Sequence, residues 1–132
     1  MRVKLPFLEG DNERRRWIAY QYKEALRETI TERPPVTAGT LHAMHLYVVE
    51  AEKRDELRDH LSKNGVSSAI HYPMPIHQQP AYLGRIRGGE SLHVTEALYK
   101  RILTLPMYPE LTDEEVMKNV GALKSFGKGA AK

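Results

Sequence analysis

Cysteine is absent from the 132 residues, so neither a disulfide nor a thiolate-ligated metal is available to hold the chain together. No apolar run approaches the roughly 20 residues that a bilayer-crossing helix needs. The amino-terminal Met1-Arg2-Val3-Lys4-Leu5-Pro6 lacks the hydrophobic segment of a secretory signal. Charge of one sign is also missing: 20 Lys and Arg stand against 17 Asp and Glu, for a net +3. The one basic run, Arg14-Arg15-Arg16, sits beside Asp11 and Glu13. A nucleic-acid footprint needs a concentrated basic stripe with interleaved aromatics, so nucleic acid is not expected as a partner. There is no Gly-x-Ser-x-Gly elbow, no Gly-Lys-Ser/Thr phosphate loop and no dinucleotide fingerprint. These exclusions leave a soluble, cytoplasmic domain with no membrane partner.

What is present is an ordinary globular balance, 41% apolar and 28% charged, in a length that suits one core. Residues 11–30 read as a helix. Asp11 or Asn12 is placed to cap it, and Ile18, Tyr22, Ala25, Leu26 and Ile30 return at three- and four-residue steps. Pro34-Pro35 should end it. Pro6 interrupts the apolar Val3, Leu5 and Leu8, which read as the tail of an element. Residues 42–49 are rich in β-formers and predict a strand. A helix follows over 52–64, with Leu57 and Leu61 on one face and Asn64-Gly65 closing it. Residues 66–72 predict a second strand, so that two strands of one sheet would be joined by a helical crossover. Residues 73–92 are irregular, 95–102 predict a short helix and 103–106 an extended segment. Thr112 and Glu115 form a capping box for a last helix that turns Val116, Val120 and Leu123 inward, with a frayed tail from Gly127. The fold class expected is α+β, a short sheet packed with helices.

The densest chemistry lies in His71-Tyr72-Pro73-Met74-Pro75-Ile76-His77-Gln78-Gln79-Pro80-Ala81-Tyr82, directly after a predicted strand. The prolines fix the backbone, which lowers the entropy lost when polar groups are presented. Imidazole, phenol and carboxamide groups there suit a hydroxyl-rich ligand or its phosphates. Long ordered loops in small domains are more often functional than connective, although packed or solvated side chains are the plainer alternative. Zinc on His42, His45, His71 and His77 is disfavoured, because structural zinc usually wants close pairs plus cysteine and there is no His-Glu-x-x-His helix. Asp55 and Asp59 alternate with Arg54 and Arg58 and read as a solvated salt-bridge face. The seven tyrosines form no stripe.

Three blocks in order, "HLYVVEAEKRDELRDHLSKNGV", "IHYPMPIHQQPAY" and "LTLPMYPELTDEEV", together with the opening "RVKLPFLEGDNERRRWIAYQY", resemble the carboxy-terminal region of the DegT/DnrJ/EryC1/StrS aminotransferases. The resemblance runs from about Arg2 to Leu123. It implies the small C-terminal domain of a fold-type-I pyridoxal-phosphate (PLP)-dependent transferase: a leading helical region over 1–34, an α+β body over 40–126 and a tail over 127–132. It also implies amino transfer, commonly from glutamate, to a nucleoside-diphosphate keto-sugar. In such enzymes a lysine forms the aldimine with PLP. That lysine, the aspartate on the pyridine nitrogen and the phosphate-binding groups lie in the family's large domain, so no catalytic residue is assigned here.

By the same resemblance His71 and Tyr72 face the sugar nucleotide, with His77 as a further substrate-binding candidate. The long form of the loop resembles enzymes acting on 3-keto sugars. The partners implied are the nucleotide-sugar, the large PLP-binding domain and a homodimer partner, in deoxysugar or polysaccharide biosynthesis. The reading favoured is a piece of such an enzyme, inactive alone. Its alternatives are an enzyme half that pairs with a separate large domain, and a non-catalytic binding module.

Overall fold

A computed structural model describes residues 2–26, 38–88 and 91–129, the last three by backbone alone. A 3-10 turn, Leu5–Phe7, leads into α1, Leu8–Leu26. Pro6 therefore opens a helical run rather than interrupting one, since its missing N–H is not needed in a first turn. From Ile18 onward α1 buries Ile18, Ala19, Tyr22, Ala25 and Leu26, the stripe the spacing predicts. The Ile30 end of the predicted helix and Pro34-Pro35 lie outside the described residues.

The sheet departs from expectation in two places. Strand β1 is Tyr47–Glu50 and does not begin at His42. Met44 takes φ +48 and its N–H donates to His42 Nδ1 at 2.9 Å, a local turn that cannot continue a pleat. Helix α2, Arg54–Lys63, follows with Leu57 and Leu61 buried. It ends at Gly65, whose φ of +67 is the left-handed value a helix stop favours. The expected strand 66–72 is reduced to one bridge, Ala69 to Thr104.

Helix α3, His93–Leu98, starts two residues before its predicted position, because Glu96 Oε1 reaches back to the Leu92 N–H at 3.0 Å. Strand β2, Ile102–Leu105, pairs antiparallel with β1. The 66–70 segment is antiparallel to β2 as well, so it runs parallel to β1 with β2 between them. The crossover inferred from sequence is thus split by a later strand. Helix α4, Asp113–Gly129, continues past the predicted frayed point. Its capping box is present: Glu115 Oε2 accepts from Thr112 N–H at 2.8 Å, and Glu115 N–H donates to Thr112 Oγ1 at 3.2 Å.

Register explains the core. Tyr47 faces Leu105 and Val49 faces Leu103, and all four side chains are buried against the helices. Val116, Val120 and Leu123 of α4 join Ile18 and Tyr22 of α1 and Leu61 of α2 in one cluster. Within it Asn119 Nδ2 donates to the Tyr22 hydroxyl at 2.9 Å, and that hydroxyl donates to Pro106 O at 2.9 Å. The ring of Tyr22 lies 5.2 Å from that of Tyr47. By contrast Val3, Leu5, Phe7 and Leu8 are exposed. Among the described residues no helix is long and apolar enough to cross a membrane.

Burial pushes the Tyr22 phenol up to about 12 from 10.0, with the neighbouring tyrosines adding to the rise and the Asn119 bond opposing it. The phenol must stay protonated in the fold, so its contribution is complete below pH 10 and is lost as pH rises through about 12. Tyr22→Phe should cost about 1–3 kcal/mol by leaving Asn119 and Pro106 unpaired. Urea melts will check that loss, and the same variant should flatten the alkaline arm of stability against pH.

Candidate functional site

Backbone geometry delivers His71. Val66 is buried and its N–H donates to Leu61 O at 2.9 Å, which fixes the exit from α2. Ala69 and Thr104 exchange both backbone bonds, at 3.0 and 2.7 Å, laying the segment along the free edge of β2. Two residues later His71 Nδ1 lies 2.9 Å from Thr104 Oγ1. The His71–Tyr72 peptide is cis, and the two rings meet edge to face at 5.7 Å. Tyr72 is 73% exposed.

These two residues open onto a groove of about 610 Å³. Met74, Pro75, Ile76, Gln79 and Tyr82 form one wall, and Thr95, Leu98, Tyr99 and Ile102 form the other. Ile102 shares a sheet face with Thr104, opposite the face carrying Leu103 and Leu105, so the groove lies across the sheet from the helical core. Mostly apolar walls with a few convergent imidazole, phenol, hydroxyl and amide groups are typical of a small-molecule cleft. A second depression of about 420 Å³ shares the His71 wall and adds Ser67, Ser68, Tyr108 and Lys118.

The structure brings His71 and Tyr72 together and sets His77 apart. His77 is only 6% exposed and points inward, with Nε2 3.0 Å from Glu96 Oε1. The same Glu96 oxygen accepts the Leu92 N–H. One carboxylate therefore ties the 3-10 turn Ile76–Gln78, part of the groove wall, to the start of α3. The Leu92 N–H, and after it His77, hold the Glu96 carboxyl below its ordinary value. Sequence reading missed Glu96 and Thr104. The available signals were a threonine within an otherwise apolar strand and a glutamate three residues after a helix start. Asp55 pairs with Arg54 at 2.8 Å, as the alternating charges predict. Among the described residues no three His, Asp or Glu side chains converge as metal ligands.

Because Glu96 is depressed in the fold, its clamp is present above its unfolded value of 4.5 and is lost as pH falls through the lower folded value. Hydrogen exchange at the Leu92 amide should therefore accelerate, relative to the intrinsic rate, only once that folded value is crossed. In Glu96→Ala the amide should exchange fast at every pH.

The sequence matches the model of the DegT/DnrJ/EryC1/StrS aminotransferase family over residues 1–124. It is 34% identical over 125 residues to the dTDP-3-amino-3,6-dideoxy-alpha-D-galactopyranose transaminase of Aneurinibacillus thermoaerophilus, covering 95% of this chain and 34% of that one. It is also 34% identical to the dTDP-3-amino-3,4,6-trideoxy-alpha-D-glucose transaminase of Streptomyces venezuelae, covering 97% and 34%. The fold superposes with a TM-score of 0.89 on the crystal structure of S. venezuelae DesV in complex with a ketimine intermediate, at 32% identity, covering 96% of this chain and 34% of that one. The chain thus spans about a third of the length of the relatives it matches.

Proposed function

The chain belongs to the DegT/DnrJ/EryC1/StrS aminotransferase family, and on that premise we propose that it forms one wall of a sugar-nucleotide cleft. It would act as the small domain of a fold-type-I enzyme, with residues 1–34 leading into the body over 40–126. The observation that carries this reading is the groove that His71 and Tyr72 open onto, set on the sheet face away from the core. A keto-sugar attached to a nucleoside diphosphate offers hydroxyl, carbonyl and phosphate oxygens, which imidazole and phenol N–H and O–H groups recognise. The apolar Ile76, Leu98 and Ile102 exclude water around them. The 3-keto class is favoured by the form of the 70–82 loop and by relatives named for 3-amino sugars. Glutamate is the amino donor of this reading. His77 serves the site through the loop it anchors.

The groove residues do not fit PLP itself. PLP needs a lysine amine for its aldehyde and a carboxylate for its ring nitrogen, and among the described residues no lysine, arginine, aspartate or glutamate lines this groove. The cofactor therefore belongs to the two thirds of the family's length that this chain does not span, with which it would assemble. What the present residues supply is binding and orientation of the substrate.

Titrating the full chain with dTDP-glucose or UDP-N-acetylglucosamine should shift the NMR signals of His71, Tyr72 and Ile102 and leave the helical core unmoved. His71→Ala should weaken that response by about tenfold, the loss of one hydrogen bond to a charged or polarised oxygen. A response at other residues alone would remove the groove from consideration. Borohydride reduction with PLP present should label no single lysine preferentially.

A further inference from the structure

Thr104 is an anomaly in the sheet. It is the polar member of the strand Ile102–Leu105, it is only 5% exposed, and it lies on the sheet face opposite the core. A valine would satisfy the strand equally well. A buried hydroxyl must find a partner, and among the described residues Thr104 Oγ1 has one, His71 Nδ1 at 2.9 Å. Two arrangements fit that distance. If Nδ1 carried the proton, Oγ1 would accept it, and the hydroxyl hydrogen would have no protein acceptor among the described residues. If Nδ1 is bare, the hydroxyl donates to it and both groups are satisfied. The second arrangement costs less.

We infer that Thr104 is the positioning residue of the site: its hydroxyl donates to His71 Nδ1 and fixes the imidazole as the Nε2–H tautomer. The tautomer of a histidine is set by the bond its other nitrogen makes. Among the described residues Nε2 has no partner. The ring thus offers one N–H donor of fixed direction, which selects an acceptor oxygen on the ligand, a carbonyl, hydroxyl or phosphate oxygen. The strand fixes the threonine rigidly, because Thr104 is the residue that also bonds Ala69 through both backbone groups. Thr104 and His71 are therefore held by one short backbone circuit. The role assigned to the donor rests on the proposed cleft, whereas the tautomer itself does not.

Two-bond 1H–15N spectra of the full chain, with His71 identified by comparison with His71→Gln, test the tautomer without any ligand. The expected result is a protonated Nε2 and a bare Nδ1. A proton on Nδ1 in the wild type overturns the inference. Thr104→Val should reduce the tautomer ratio by about fivefold, the worth of one net hydrogen bond, and Thr104→Ser should restore it. Unchanged nitrogen shifts in Thr104→Val, or no recovery with Thr104→Ser, would also overturn it. If Thr104→Val does not fold, the wild-type and serine spectra decide. Adding dTDP-glucose separates the two readings: an Nε2–H tautomer with no response at His71 removes the cleft but keeps the role of Thr104. A response at His71 with the proton on Nδ1 does the reverse.

Discussion

The relay from Asn119 through the Tyr22 hydroxyl to Pro106 O is the constraint on which the rest depends. It joins α4, α1 and the chain just beyond β2 at one buried phenol that is 0% exposed. A tyrosine at this depth is stable only when its hydroxyl is partnered, and here it both donates and accepts. Apolar packing alone would permit the helices to slide over the two-stranded sheet. The relay fixes where β2 ends relative to both helices. Arg14 reinforces the same junction from the surface, reaching Asp113 at 2.7 Å and the carbonyl of Leu111 while lying over the Trp17 ring at 4.4 Å.

Once β2 is fixed, its two faces divide the labour. Leu103 and Leu105 belong to the core, whereas Ile102 and Thr104 belong to the groove side. The groove is a separate layer, built from a loop with little regular structure. Such a loop needs its own anchors, because it has no apolar interior of its own. One anchor is the Ala69–Thr104 bridge at its start. The other is Glu96, whose single oxygen holds His77 and the Leu92 N–H. Between the anchors Tyr72, Met74 and Ile76 remain exposed.

Much of this was legible in the sequence. The buried stripe of α1 follows from the spacing of Ile18, Tyr22 and Ala25, and the start of α4 from Thr112 and Glu115, because each depends on neighbours within one or two helical turns. The sheet was less legible. Val66, Ala69 and Ile70 look like a strand by composition, yet pairing depends on a partner 35 residues away that offers one bridge. The β-rich 42–46 segment failed for a local reason, the turn at Met44. At the site, the loop carrying His71 and Tyr72 stood out by its density of polar rings. The direction of each ring did not: His77 is a further candidate on the same loop by sequence, and it is Glu96, 19 residues on, that holds it inward.

The chemistry of the groove differs from that of an activated amine. A lysine amine becomes a nucleophile when desolvation or a neighbouring cation lowers its pKa. Lys118, the lysine beside the His71 wall, is exposed and lines the smaller depression rather than the groove. The groove instead holds imidazole, phenol, hydroxyl and amide groups among apolar walls. Under the proposed function, rigidity is what such a wall would contribute, since an orientation error of a fraction of an ångström is costly at a reacting atom. In this fold that rigidity passes from the Tyr22 relay to β2, from β2 to Thr104, and from Thr104 to the imidazole of His71.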